Sequence, residues 1–531
     1  MRWGPTWRAC VLLIGAAVIC AVACRPALAQ APGELRIAFS APATSVDPHY
    51  QNATPNFAVA RNFFDTLVQM DPDNRIVPGL AESWRRLDDT NWEFKLRRAT
   101  FHDGSELTAE DVAWSLDRPA TIENSPAPYT IYTKAIVGKR VVDARTIQLT
   151  TSGPYPLLLA DLSQVIILNK KAAENLDRAQ FLAALNRLGT GPYRFVSYVP
   201  EDRVAMERFD DHWGGRPAWD KVVVRFITNE AARIAALLAG DVDAIENVPT
   251  QDVERIKNDK SLEFAAKKSN RVVFLFLDSG RDQTPMASDV NGKPLASNPF
   301  KDLRVRKAVN LAIDRNAIRD RIMTGIAYPT NNLATEAMPG FDPALESVPF
   351  DPAQARKLLA DAGYPDGFRL TIASPNNRLI NDAKVAQAVA QMLTRVGIRT
   401  QVDAMPFAVI ATRGNKGDFS SSMMAWGVQT AEASSPVRMM LACPDKAKGW
   451  GAVNWGNYCN PDVDGLLTRV VSTMDDDQRN VLLKQLVRKI MDDVALVPLY
   501  FQGSTWAAKK GIAITPRGDE RTTASMFAPA K

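Results

Sequence analysis

The sequence predicts an α/β protein with more than one lobe, and three observations carry that reading. The chain has 531 residues, too many for one ordinary hydrophobic core. Its composition, 46% apolar and 23% charged, is that of a folded globular chain. From Arg369 to Val402 a strand, a helix and a second strand follow in order: Arg369 to Ser374 is a strand, Lys384 to Val396 a helix stopped by Gly397, and Ile398 to Val402 a strand parallel to the first.

The N-terminus has the pattern of a secretory leader. Arg2 and Arg8 supply positive charge, residues 9–23 an apolar run, and Ala27-Leu28-Ala29 a small-residue cleavage site, so the mature chain begins at Gln30. A second reading, lipid attachment at Cys24, rests on Ala21-Val22-Ala23-Cys24 and has Ala where Leu is usual. A retained anchor fits less well, because the run is short for a bilayer span and ends in Arg25-Pro26. Removing Arg2, Arg8 and Arg25 takes the formal charge from +5 to +2, which argues against a nucleic-acid or polybasic membrane surface. Three of the five cysteines leave with the leader. Cys443 and Cys459 remain, and in an oxidising compartment an even pair predicts a disulfide. Closing a loop of that size contributes about 3 kcal/mol on the chain-entropy account.

Taken in order, residues 34–39 alternate as a first strand, and residues 40–56 form a Pro-, Asn- and Thr-rich loop. Trp92, Phe94 and Leu96 alternate with charged residues as a half-buried strand. Thr108 begins a helix with Asp111 placed for a capping box. Lys139 to Val142 and Thr146 to Leu149 read as a strand pair, and residues 157–168 as an apolar helix or strand of ordinary core. Gly189 and Gly191 precede Pro192 and a strand, a context that fails the test for a dinucleotide loop. Residues 222–227 and 271–278 read as strands, and residues 231–239 as a helix ended by Gly240. Val305, Ala308, Val309 and Ala312 share one helical face. Asp351 caps a helix with Pro352 at its first position and Gly363 at its end, and residues 494–501 are apolar enough for a central strand or a cleft wall.

Three stretches carry a resemblance. Leu80-Ala81-Glu82-Ser83-Trp84, Phe101-His102-Asp103-Gly104 and Leu107 to Val112 form the first; Gly189-Thr190-Gly191-Pro192-Tyr193 with Trp213 to Pro217 the second; residues 298–318 the third. Together they resemble family 5 of the bacterial extracellular solute-binding proteins, the dipeptide- and oligopeptide-binding components of ATP-binding-cassette importers. The resemblance implies an α/β, two-lobed periplasmic-binding-protein fold (type II, cluster C-like) with an extra domain inserted in the first lobe. The expected division is a leader (1–29), domain I (30–62, 188–276 and 504–531), the extra domain II (63–187) and a second lobe, domain III (277–503). It implies a monomer in the periplasm that captures peptides or peptide-like solutes and delivers them to an inner-membrane permease with its ATPase subunits. A receptor serving a chemosensor is a further reading.

In the family the segment after the first strand lines the cleft, which nominates Tyr50 and Thr54. In its peptide binders a strand ends in Trp, and an Asp three residues on grips the ligand's amine. Here Trp426 is followed at that place by Gln429, which supplies no charge. The acidic duty then falls to Glu432, since Thr430-Ala431-Glu432-Ala433 is similar to the Thr-Gly-Glu-Ala pattern of glutathione-binding members; alternatively Glu432 only caps a helix. Asn376 and Arg378 follow a strand, and an Arg fork suits a ligand carboxylate, although Arg378 could equally sit on the surface near Asp382. Trp426 and Trp455 offer apolar walls, with Trp455 alternatively core beneath the disulfide. Glutathione, an opine, a sugar-like solute and nickel are the alternative ligands, and three histidines make direct metal ligation weak. No nucleophile motif, metal-binding helix motif or phosphate loop is found, so neither an enzyme, a cofactor nor a metal site is expected. His49, His102 and His212 form no cluster in the sequence, and His102 reads first as a structural hydrogen-bonding residue.

Overall fold

The computed structural model describes residues 33–346, 349–428 and 430–530. The leader, with Cys24 and Ala29, and Gln429 lie outside the described residues. Two long antiparallel strands, Leu262–Leu277 and Leu496–Lys509, run through both lobes side by side. Their lower halves join the first lobe, where Trp506, Ala507 and Ala508 pair with Ala244–Glu246, which in turn lies parallel to Glu34–Phe39 and, beyond it, Lys221–Phe226. Their upper halves join the second lobe through Ser421–Gly427. One hydrogen-bonded network of twelve strands therefore spans the molecule.

The expected strand at 271–278 is 16 residues long rather than eight, because Lys267, Lys268, Ser269 and Asn270 interrupt the apolar pattern without ending the strand. The pairing with Leu496–Lys509 shifts register between Lys268 and Val272, which is where the polar stretch lies. The strand–helix–strand run is present as Phe368–Pro375, Asp382–Arg395 and Ile398–Met405, with the two strands parallel. Asp351 accepts a hydrogen bond from Gln354 N at 2.8 Å and caps the helix Pro352–Asp361. The apolar stretch 157–168 divides into a short helix, Leu158–Leu162, and a buried irregular run, Val165 to Leu168.

A separate four-stranded sheet is built from Ala81–Arg86, Asn91–Leu96, Thr146–Thr151 and Ile136–Asp143. Phe94 and Leu96 are fully buried and Trp92 nearly so, as their alternation predicts. Asp111 accepts from both the N–H and the hydroxyl of Thr108, so the helix Ala109–Asp117 starts as its residues indicate.

The first two sequence signatures meet in one contact. His102 N donates to Gly189 O at 2.8 Å and His102 Nε2 donates to Gly191 O at 2.9 Å, while Gly191 N donates to Phe63 O. A Cβ on Gly189 would come 2.0 Å from Phe63 O, and one on Gly191 2.4 Å from Phe63 C. The glycines permit backbone to pack on backbone, and His102 locks the junction.

Burial holds the His49 imidazole at about 3 and that of His102 at about 4, with the Arg118 charge adding to the effect at His49. Both rings are neutral in the folded chain, whereas in the unfolded chain they take up protons below about pH 6.5. Their contribution is therefore present above the unfolded value and is lost as pH falls toward the folded values. The urea midpoint is expected to drop between about pH 7 and 4.5. A His102→Asn variant, which keeps a donor toward Gly191, should show a slope shallower by about 1.4 kcal/mol per pH unit; an unchanged slope would contradict the buried neutral ring.

Candidate functional site

The parallel strands Phe368–Pro375, Ile398–Met405 and Ser421–Gly427 end on one edge of the second lobe's sheet. Ligands of open α/β sheets bind outside such carboxyl ends, where loops rather than strands supply the side chains. Arg378 and Asn376 follow the first of these strands, and Trp426 ends the third. Val272 pairs opposite Trp426 and Arg271 opposite Gly427, so the long crossing strand brings Arg271 to the same edge.

Arg378 is exposed, and its guanidinium lies 4.9 Å from the Phe407 ring. Burial by the surrounding protein and the charge of Arg271 hold its pKa below the usual arginine value, with Glu520 opposing. A group open to solvent yet flanked by protein sits in a concavity. Asp382, beside which Arg378 could have been a plain surface residue, accepts the backbone N–H of Arg378 at 3.0 Å. No carboxylate among the described residues is within ion-pair distance of the Arg378 side chain. Asn376 is exposed beside it.

Arg271 is already matched. Its Nη2 lies 2.6 Å from Glu520 Oε2, its Nε 2.9 Å from the same oxygen, and Ser269 Oγ donates to Glu520 Oε1 at 2.9 Å. Both side chains are largely buried. The set Arg271, Glu520 and Arg378 thus carries one surplus positive charge.

Trp426 is half-buried, and its indole Nε1 donates to Ser435 Oγ at 3.4 Å. The Thr430 hydroxyl is buried and finds no hydrogen-bond partner among the described residues, a cost that a polar ligand atom would relieve. Glu432 is placed differently from what an amine-gripping role needs. It is 3% exposed, and its carboxylate meets Arg479 and the Ser434 hydroxyl inside the second lobe. It also does not act as the side-chain cap of the helix Ser434–Met440. Trp455 is 7% exposed, packs against Phe276 and Gly414, and donates from Nε1 to Asn415 Oδ1 at 2.9 Å, which puts it in the core. Cys443 and Cys459 are disulfide-bonded in the same region. Thr54 opens the helix Thr54–Ala60 of the first lobe, and the Tyr50 hydroxyl faces Asn124 O at 3.5 Å.

The lobes touch. Met70 and Ala160, from before residue 188, are part of the second lobe's buried apolar cluster. Lys268 pairs with Glu336 and Asn381 Nδ2 donates to Thr250 Oγ1 at 2.8 Å, while within the first lobe Lys267 Nζ lies 2.6 Å from Asp73 Oδ1. Sequence reasoning missed Arg271, Glu520 and these clamps, because their partners are up to 249 residues apart and share no local pattern. The polar interruption Lys267 to Asn270 was the one visible signal. A cavity of about 770 Å³ lined by His102, Gln180, Arg187, Arg194 and Glu207, among others, draws its walls from the first part of the chain and holds none of the predicted ligand residues.

Residues 75–448 match the family described as bacterial extracellular solute-binding proteins, family 5 Middle. The chain belongs to that family. It is 27% identical over 503 residues to the glutathione-binding protein GsiB of Salmonella choleraesuis, a match that covers 92% of this chain and 93% of that one. Its fold is that of the periplasmic binding protein DppA from Helicobacter pylori in complex with the peptide STSA (TM-score 0.74, 22% identity, 94% and 98% of the two chains). It is also that of the binding protein AgaA from A. tumefacien R10 in complex with agropinic acid (TM-score 0.72, 24% identity, 94% and 99%). The protein is accordingly a two-lobed solute-binding component of an ATP-binding-cassette importer.

The Glu432–Arg479 pair is buried, so removing one partner strands a charge. Glu432→Ala is expected to destabilise the fold by about 3–5 kcal/mol in urea unfolding, and Glu432→Leu with Arg479→Met to recover most of that loss. A Glu432→Ala protein of unchanged stability would show that the carboxylate is not structural.

Proposed function

We propose that the protein is an exported receptor for peptide-like solutes with a free carboxylate, held by Arg378 beside Trp426, and that it passes them to an inner-membrane permease. The observation that carries this reading is the guanidinium of Arg378, which stands at the strand ends with no carboxylate of its own among the described residues. The half-buried Trp426 and the unsatisfied Thr430 hydroxyl support it. An ordinary peptide amine would need an available carboxylate, and Glu432 is committed to Arg479 while Glu520 is committed to Arg271. The ligand is therefore anchored at its acidic end. A glutathione-type solute fits better than a dipeptide gripped by its amine, and the similarity to GsiB supports the same choice. Closure would bring the lobes together about the two crossing strands, with Tyr50 and Thr54 on the first-lobe side.

The reading includes a periplasmic location after cleavage near Ala29, with 63–187 as an inserted domain and 277–503 as the bulk of the second lobe, whose sheet also takes in residues 271–276 of the crossing strand. The self-contained sheet between Ala81 and Thr151 supports the inserted domain. Among the described residues no helix is long and apolar enough to cross a membrane.

A ligand at a hundred times its Kd stabilises the folded protein by about 2.7 kcal/mol. Thermal unfolding is expected to shift with glutathione and with free-acid peptides and to stay put with their C-terminal amides. Arg378→Ala should abolish the shift while leaving the unliganded Tm within the range of a surface change, about 0.5 kcal/mol. Equal shifts from acids and amides would overturn the carboxylate anchor.

A further inference from the structure

A second arginine of the second lobe also lacks a carboxylate partner among the described residues. Arg438 lies on the helix Ser434–Met440, one turn after Ser435, the residue that receives the Trp426 indole hydrogen bond. Residues three apart share a helix face, so Arg438 shares its face with Ser435, which in turn meets the Trp426 indole. Arg438 Nε is buried and has no hydrogen-bond partner, and no carboxylate among the described residues lies within ion-pair distance of its side chain. What faces it comes from the other side of the molecule. The Tyr155 hydroxyl and the Asp161 carboxyl both interact with Arg438, and Tyr155 Oη donates to Asp161 Oδ2 at 2.6 Å. Asp161 is 3% exposed, on the short helix Leu158–Leu162, next to Ala160, which packs into the second lobe's core.

We propose that Arg438 is a second anion-holding residue of the ligand site, so that the cleft takes a peptide-like solute with two carboxylates, one on Arg378 and one on Arg438, and that Asp161 stands in for the second carboxylate in the unliganded protein. This rests on the reading of Arg378 given above. Arg378 follows the strand Phe368–Pro375 and Arg438 the helix after its parallel neighbour Ser421–Gly427; with Glu432 and Glu520 already paired, the two guanidiniums are what a ligand with two carboxylates would match. Arg438 is not held by a close ion pair, because Asp161 approaches it only from across the lobes. Asp161 can yield its place. Burial pushes its carboxyl up to about 7, against the pull of the Tyr155 hydrogen bond and of the Arg438 and Lys134 charges. It can therefore carry a proton when a ligand carboxylate reaches Arg438. Binding then takes up a proton and weakens as pH rises through that value.

The test is calorimetric titration of the full mature protein with glutathione, which has two carboxylates, and with its ethyl ester at the glycine carboxylate. Arg378→Ala and Arg438→Ala are each expected to weaken glutathione about ten- to hundred-fold. With the ester, one of the two substitutions should lose its effect while the other keeps it, as a double-mutant cycle requires. If Arg378→Ala weakens glutathione and Arg438→Ala does not, the second subsite is wrong and the carboxylate anchor stands. If neither changes binding, or wild-type protein binds neither compound, the anchor itself fails and this inference with it. Asp161→Asn provides a readout should Arg438→Ala not fold: it is expected to tighten glutathione and to remove the weakening between about pH 6 and 8. Unchanged or weaker binding by Asp161→Asn would overturn the stand-in role.

Discussion

The pairing of Leu262–Leu277 with Leu496–Lys509 is the constraint on which the rest of the structure depends. Each strand is long enough to belong to both lobes, so the two sheets are not merely tethered but hydrogen-bonded through shared backbone. The cost of that continuity falls on the crossing point, where the register shifts and where Lys267, Lys268, Ser269 and Asn270 replace apolar side chains. The crossing is nonetheless buried at Ser269, Asn270, Ser504 and Thr505, and polar groups there find partners inside the protein, Ser269 Oγ in Glu520 and Asn270 Nδ2 in Val428 O.

The charges around the crossing follow from it. Arg271 is carried to the ligand edge by the strand itself and is neutralised by Glu520 from the C-terminal segment. Arg378, from the loop after a neighbouring strand, is left without such a partner among the described residues. Glu432 is removed from the ligand's reach by Arg479, which reads the same acidic residue as structure rather than as recognition. Charge pairing inside the chain thus selects which ionic groups remain for a solute. The proposed site is therefore cationic, on a fold shared with proteins seen with a peptide and with agropinic acid.

Much of this was legible in the sequence, for local reasons. Asp351, Pro352 and Gly363 dictate a helix, the alternation around Trp92 dictates a strand, and the run from Arg369 to Val402 dictates a parallel pair; each depends on neighbours within a few residues. The two-lobed fold was legible through the family resemblance, and the structure explains why two of its signatures travel together: His102 bonds to the backbone of Gly189 and Gly191. The site was only half legible. Arg378 and Trp426 follow strands and so could be placed, whereas the partners of Glu432 and Arg271 lie far along the chain. Trp455 looked like a cleft wall because aromatic residues near a disulfide serve both purposes; only packing against Phe276 and Gly414 shows which. The full length of the crossing strand was hidden because Lys267, Lys268, Ser269 and Asn270 break the apolar pattern by which a strand is seen.

The measurement that tests the account most directly is a crystal structure of the mature protein with glutathione bound. A ligand carboxylate is expected within hydrogen-bond reach of the Arg378 guanidinium, at the ends of Phe368–Pro375 and Ser421–Gly427, with Glu432 still paired to Arg479. A ligand whose ammonium displaces Arg479 to reach Glu432, or one bound away from Arg378, would contradict it.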